Sequence, residues 1–208
     1  MVLVIDYGAG NLASFTKALS HLSLPFVVSA NPADLKNAPL AVLIGVGNFG
    51  SGMQELSKRG FDSAIREYVG TQGGRLFGIC VGMQLLFEGS DEAPTVPGLG
   101  LLPGWVHKLV SEPGARVPHV GFDAVHFDRP SSVMAGLADG TDFYFTHGFA
   151  VTSAPQGCWV GTCKHGSTSF VAAVDNGRVG GVQFHPEKSQ SNGVTLLRNV
   201  LAPTSVPR

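Results

Sequence analysis

Val2-Leu3-Val4-Ile5, Leu40-Ala41-Val42-Leu43-Ile44 and Leu76-Phe77-Gly78-Ile79 are unbroken apolar runs, and each ends at a turn rich in glycine. A strand that is apolar at odd and even positions alike has no face to offer water. It therefore belongs in a parallel sheet covered on both sides. Between the runs, Leu12, Phe15, Leu19 and Leu22, and later Phe61, Ile65, Tyr68 and Val69, fall at helical spacing. Strands alternating with helices predict an α/β fold, a mostly parallel central sheet flanked by helices. Residues 26–29 read as a further strand, and Met83, Leu85, Leu86 and Phe87 as the start of a helix after the third run. Beyond Glu88 the pattern changes. A polar loop over 89–97 leads into short strands at 105–110, 120–127, 143–145, 149–152, 159–163, 170–175 and 179–184. They predict additional antiparallel strands in the C-terminal half, with Asp175-Asn176-Gly177 as a hairpin turn. Residues 189–201 close the chain as a helix. The reading is a single domain over 1–202, with 203–208 expected to fray.

Charged residues make up only 14% of the 208, against a usual share of about 25%, so disorder is excluded for the bulk of the chain and part of the surface is expected to be covered by a partner. Lys and Arg number 14 and Asp and Glu 15, which leaves no basic field to gather nucleic acid or a membrane surface. Three cysteines make no disulfide framework and fit a reducing, cytoplasmic setting. His21, His107, His126 and His165 lack ligand-like spacing, so no metal is expected. No cofactor motif stands out.

Gly78-Ile79-Cys80-Val81-Gly82 has the form of a nucleophile elbow with cysteine as the nucleophile. A side chain at the tip of a sharp strand-to-helix turn needs small neighbours two residues away on either side. The following helix N-terminus favours a thiolate and offers N–H groups to an oxyanion. About a hundred residues later comes Gln183-Phe184-His185-Pro186-Glu187-Lys188. In extended chain His185 and Glu187 leave on the same face, as a base and the carboxylate that orients it.

A cysteine elbow with a late His-Pro-Glu resembles the triad-type (class I) glutamine amidotransferases, whose fold is flavodoxin-like. Asp6-Tyr7-Gly8-Ala9-Gly10-Asn11-Leu12, Gly98-Leu99-Gly100-Leu101-Leu102-Pro103-Gly104, Val117-Pro118-His119-Val120-Gly121 and Pro186-Glu187-Lys188-Ser189 narrow the resemblance to the glutaminase subunits of imidazole glycerol phosphate synthase. The resemblance implies that Cys80 attacks the glutamine amide, that His185 shuttles the proton, and that Glu187 orients His185. It assigns the oxyanion hole to the N–H groups of Val81 and Val46. Gly45, Gly47, Gln84 and the backbone of His147, Gly148 and Phe149 are assigned to glutamine. It also implies a heterodimer in which ammonia passes to a (β/α)8 cyclase subunit, with Asn11, Pro118, His119, Phe122 and Lys188 facing that partner.

Three segments depart from the family's usual pattern. Ile44 stands in place of proline before Gly45, Gly121-Phe122-Asp123 replaces Gly-Trp-Asn, and Gly148-Phe149 loses two hydroxyls near the glutamine pocket. Two alternatives therefore stay open at this level: a paralogous subunit supplying ammonia to a nucleotide-sugar synthase, and a cysteine hydrolase outside the amidotransferases.

Overall fold

The computed structural model describes residues 1–201, so the expected fraying over 203–208 lies outside the described residues. In chain order the elements are β1 (Val2–Ile5), α1 (Leu12–His21), β2 (Phe26–Ser29), a 3₁₀ turn (Pro32–Asn37), β3 (Leu40–Gly45), α2 (Phe49–Lys58), α3 (Phe61–Gly70), β4 (Leu76–Cys80) and α4 (Val81–Gln84). There follow β5 (Gly89–Ser90), β6 (Trp105–Lys108), β7 (His119–Val125), β8 (Thr141–His147), β9 (Phe149–Val151), β10 (Trp159–His165), β11 (Thr168–Asp175), β12 (Val179–Val182), a second 3₁₀ turn (Pro186–Lys188) and α5 (Gln190–Leu201).

The central sheet has seven strands in the order β10-β11-β12-β4-β3-β1-β2. The five from β12 to β2 are parallel, and β11 and β10 extend the sheet antiparallel. Every residue of β1, β3 and β4 is buried, as their unbroken apolar runs require. β2 lies at the edge and exposes Val27 and Val28. Two smaller sheets, β5-β6-β9 and the pair β7-β8, complete the fold.

β12 belongs to the parallel core although it lies in the strand-rich half. Its register sets Gly181 beside Gly78 and Val182 beside Ile79, while Gly45 of β3 pairs with Cys80 on the other side. Three carboxyl-terminal strand ends thus meet at one point, which is where open α/β sheets bind ligands.

Two helical readings change. The helix after Cys80 is a single turn, because the loop that follows caps its carbonyls: Leu99 N–H donates to the Leu85 carbonyl, and Leu101 and Leu102 N–H both donate to that of Leu86. α2 was hidden by Gly45, Gly47 and Gly50, which read as turn. Asn48 caps it through Ser51 N–H at 2.9 Å, and it buries Phe49, Met53 and Leu56. A Cβ on Gly52 would sit 3.1 Å from Leu85, so glycine lets α2 lie close to α4. Strand 179–184 stops at Val182, and strand 120–127 runs instead from His119 to Val125.

Gly82 meets the backbone of β3 directly: a Cβ there would lie 1.9 Å from the Leu43 carbonyl oxygen. Gly82→Ala is expected to cost at least about 2 kcal/mol in urea unfolding, because backbone has to move. Gly70→Ala, in open space at the end of α3, is expected to be neutral or to gain up to ~1 kcal/mol. Equal effects of the two changes would remove the steric argument.

Candidate active site

Cys80 ends β4 with φ 55° and ψ −116°, a backbone conformation that L-residues rarely adopt. The flanking glycines make it possible. A Cβ on Gly78 would lie 2.6 Å from the Gly82 carbonyl and the Met83 backbone, and one on Gly45 would lie 2.5 Å from Gly82 N. Gly45 therefore packs under the elbow and does not line the cavity, contrary to the expectation of a substrate contact. Val46 and Gly47 do line it. Val46 is 41% exposed, and Gly47 has φ +93° with open space around it.

The cavity has a volume of about 450 Å³ and is walled by Cys80, Val81, Gln84, His147, Gly148, Phe149 and His185, all expected at the site. It is also walled by Glu92, Thr146 and Lys188. His185 Nδ1 donates to Glu187 Oε1 at 2.8 Å, with both side chains about 96% buried. The loop carrying them is pinned to β8, since His185 N–H donates to the Tyr144 carbonyl and Ser189 Oγ bridges the Tyr144 N–H and the His185 carbonyl. Burial alone would lower the His185 pKa. Hydrogen bonds and charge interactions with Cys80 and Glu187 outweigh it and hold the imidazole at about 9. His185 is thus an imidazolium at neutral pH.

Glu92 was missed because the 89–97 segment reads as a polar surface loop. Only the folded chain shows that its carboxylate reaches the cavity wall. Glu92 is fixed by Phe49 N–H, which donates to its Oε2 at 2.7 Å from the start of α2.

The carbonyls near the pocket are largely committed. Phe149 O accepts from Gln84 Nε2 at 2.8 Å and from His147 Nδ1 at 2.9 Å, and Gly148 O accepts from Leu109 N–H. Gln84 Nε2 also donates to Gln183 Oε1 at 3.0 Å, which leaves Gln84 only its own Oε1 for a substrate. With Nδ1–H on a carbonyl, His147 keeps a lone pair on Nε2, to which His119 Nδ1–H donates at 3.1 Å. Burial lowers the His147 pKa to about 3.

His119 is itself buried, stacked on Phe145 and on His165, so its side chain does not face a partner as expected. Its Nε2 lies 3.0 Å from Asp123 Oδ2. His119, Asp123 and His165 offer ligand atoms within 4.8 Å of one another. The two imidazoles stack at 4.2 Å and 26°, however, so an ion lying in the plane of one ring is out of the plane of the other. Burial, and next to it the neighbouring His165, hold the His119 pKa below its ordinary value despite Asp123. The other residues expected at an interface are more open. Phe122 is 48% exposed against Tyr144, Lys188 Nζ lies 5.6 Å from the Tyr144 ring centre, and Asn11, exposed, caps α1 through Ser14 N–H. Pro118 begins this segment after a cis peptide bond.

A buried Cys-His-Glu arrangement at the carboxyl end of a parallel sheet defines a class of acyl-transfer enzymes. The sequence matches the glutamine amidotransferase class-I family over residues 3–203, and the chain belongs to that family. It is 43% identical over 198 residues to the imidazole glycerol phosphate synthase subunit HisH of Moorella thermoacetica, covering 95% of this chain and 92% of that protein. It is 42% identical over 197 residues to the HisH of a Synechococcus species, covering 94% and 90%. The chloroplastic imidazole glycerol phosphate synthase hisHF of Arabidopsis thaliana is 38% identical over 206 residues, 98% of this chain and 34% of that longer protein. The fold is shared with a crystal structure of a glutamine amidotransferase (TM-score 0.73, 18% identity, 96% and 99% covered). It is shared too with the glutaminase domain of Trypanosoma brucei CTPS bound to acivicin (TM-score 0.62, 14% identity, 99% and 95% covered). Among the described residues no helix is long and apolar enough to cross a membrane.

Because the folded pKa of His185 lies above its unfolded value of about 6.5, its stabilising contribution is complete below that value and is lost as pH rises through 9. The stability difference between wild type and His185→Asn, on the order of 3 kcal/mol at pH 6, is expected to shrink steadily towards pH 9.5 in urea unfolding. A difference that does not change with pH would contradict the ion-pair reading.

Proposed function

We propose that this protein hydrolyses glutamine to glutamate and ammonia through Cys80, His185 and Glu187. The ammonia passes to a (β/α)8 cyclase subunit, as the glutaminase half of an imidazole glycerol phosphate synthase heterodimer in histidine biosynthesis. The observation that carries the reading is Cys80 at positive φ in one cavity with a His185 held by Glu187, in a chain about 40% identical to HisH proteins over nearly its whole length. Those relatives favour the histidine pathway over a nucleotide-sugar synthase, and the family match removes the non-amidotransferase alternative.

The sulfur of Cys80 attacks the γ-amide carbon. The oxyanion that forms takes the N–H of Val81 and, once the open peptide at Val46 turns inward, a second N–H from that loop. His185 already carries the proton that the leaving nitrogen needs, so the C–N bond breaks to give ammonia and a thioester. Neutral His185 then takes a proton from water as the water attacks, and glutamate leaves. Glu187 holds the imidazole and balances its charge. Glu92 receives the α-ammonium of glutamine, since its carboxylate lines the cavity and is held there by Phe49 N–H. The partner meets the exposed Phe122, Lys188 and Asn11, and its docking turns the Val46 peptide, so glutamine is spent only when an acceptor for ammonia is present.

Glutamate release is expected to be slow alone and faster with the cognate barrel subunit. Cys80→Ala is expected to lose glutamine-dependent turnover by more than ~10³-fold, while the complex still uses added ammonia. Retained glutamine turnover in Cys80→Ala would sink the assignment. Glu92→Gln is expected to raise KM for glutamine by roughly 10-fold or more, with a smaller change in kcat, because a charged contact to bound substrate is lost. An unchanged KM would place the ammonium elsewhere.

A further inference from the structure

Gln183 has no place in the chemistry described so far, although it is fully buried beside the nucleophile. Its Nε2 donates to Cys80 Sγ at 3.8 Å, and its Oε1 accepts from Gln84 Nε2 at 3.0 Å. The direction of both bonds follows from the far end of the chain. A backbone carbonyl only accepts, so the group that Gln84 turns to Phe149 O must be its amide nitrogen. The same nitrogen points at Gln183, which must answer with oxygen, and this turns the NH₂ of Gln183 to the sulfur. His147 Nδ1–H secures the Phe149 carbonyl from the other side. Gln183 does not line the cavity, so it approaches the sulfur from the protein interior while substrate approaches from the open side.

We propose that Gln183 is a positioning residue for the nucleophile: its amide N–H, held in one orientation by Gln84 and the Phe149 carbonyl, sets the direction of the Cys80 sulfur and stabilises its thiolate. The proposal rests on Cys80 being the nucleophile. A neutral amide donor adds no charge that would compete with His185, and a hydrogen bond to an ionised acceptor is stronger than one to a neutral acceptor. The bond is therefore strongest in the free enzyme and weakest in the thioester, where sulfur carries no charge. It re-forms as the thioester breaks, so it favours sulfur as the leaving group in the hydrolytic half of the cycle.

The test is the pH dependence of Cys80 alkylation by iodoacetamide, read by mass spectrometry on the Cys80 peptide of the full chain. This readout does not require glutamine turnover, so its failure is distinct from failure of the glutaminase reading. Gln183→Met keeps length and removes the donor. It is expected to slow alkylation at pH 7 about 10-fold and to move the midpoint up by about one pH unit. In the complex with the barrel subunit, kcat falls by a similar factor and KM stays within about 3-fold. Gln84→Met, which frees the Gln183 amide to turn over, is expected to move the alkylation midpoint in the same direction. A folded Gln183→Met whose midpoint matches wild type overturns the proposal, even if activity is lost. Should that variant not fold, wild-type protein carrying ¹⁵N in its glutamine side-chain amides decides the matter. One exchange-protected NH₂ signal is expected to shift with the Cys80 midpoint and to stop doing so in Cys80→Ala. Its absence overturns the proposal equally.

Discussion

Contact without side chains between β3 and the turn after β4 is the constraint on which the site depends. Gly82 lies against the Leu43 carbonyl, Gly45 against Gly82 and Val81, and Gly78 against Gly82 and Met83. These contacts pull the chain after Cys80 back over its own strand and force the positive φ at the nucleophile. A parallel sheet supplies the rigid frame. With β3 on one side and β12 on the other, three strand ends are held in fixed register. The cavity, the imidazole and the N–H groups are then positioned by backbone pairing, which tolerates little drift.

Electrostatics is layered onto that frame. The raised pKa of His185 is sustained inside the protein only because its interactions with Cys80 and Glu187 outweigh the cost of burial. Around it runs a chain of neutral amides and imidazoles, Gln183, Gln84, His147 and His119, whose donor and acceptor roles are fixed by one backbone carbonyl. The Phe149 carbonyl therefore has two tasks: it closes β9 onto the site, and it orients polar groups that reach the sulfur from the protein interior.

Much of this could be read from the sequence. The unbroken apolar runs require a covered parallel sheet, and Gly78-Ile79-Cys80-Val81-Gly82 with His185 and Glu187 marks the reacting centre, because strand ends and short-range spacing are local properties. Long-range properties were not legible. α2 hid behind glycines that read as turn. Glu92 lay in a segment that looks like surface until Phe49 N–H is seen to hold it. His119 sits in a motif that reads as a loop end beside Pro118, yet the β7-β8 pairing rolls it under the surface against Phe145. Gln183 reads as the tail of an apolar strand. Its use depends on Gln84, 99 positions away in sequence.

The left-handed conformation of Cys80 also limits which nucleophiles the scaffold can hold. At φ 55° the backbone crowds Cβ, and a β-branched side chain is strongly disfavoured there. Serine shares the unbranched Cβ of cysteine, whereas threonine is disfavoured by shape before its chemistry matters. The fold thus selects an unbranched nucleophile, and variation in reactivity has to come from the residues around the sulfur.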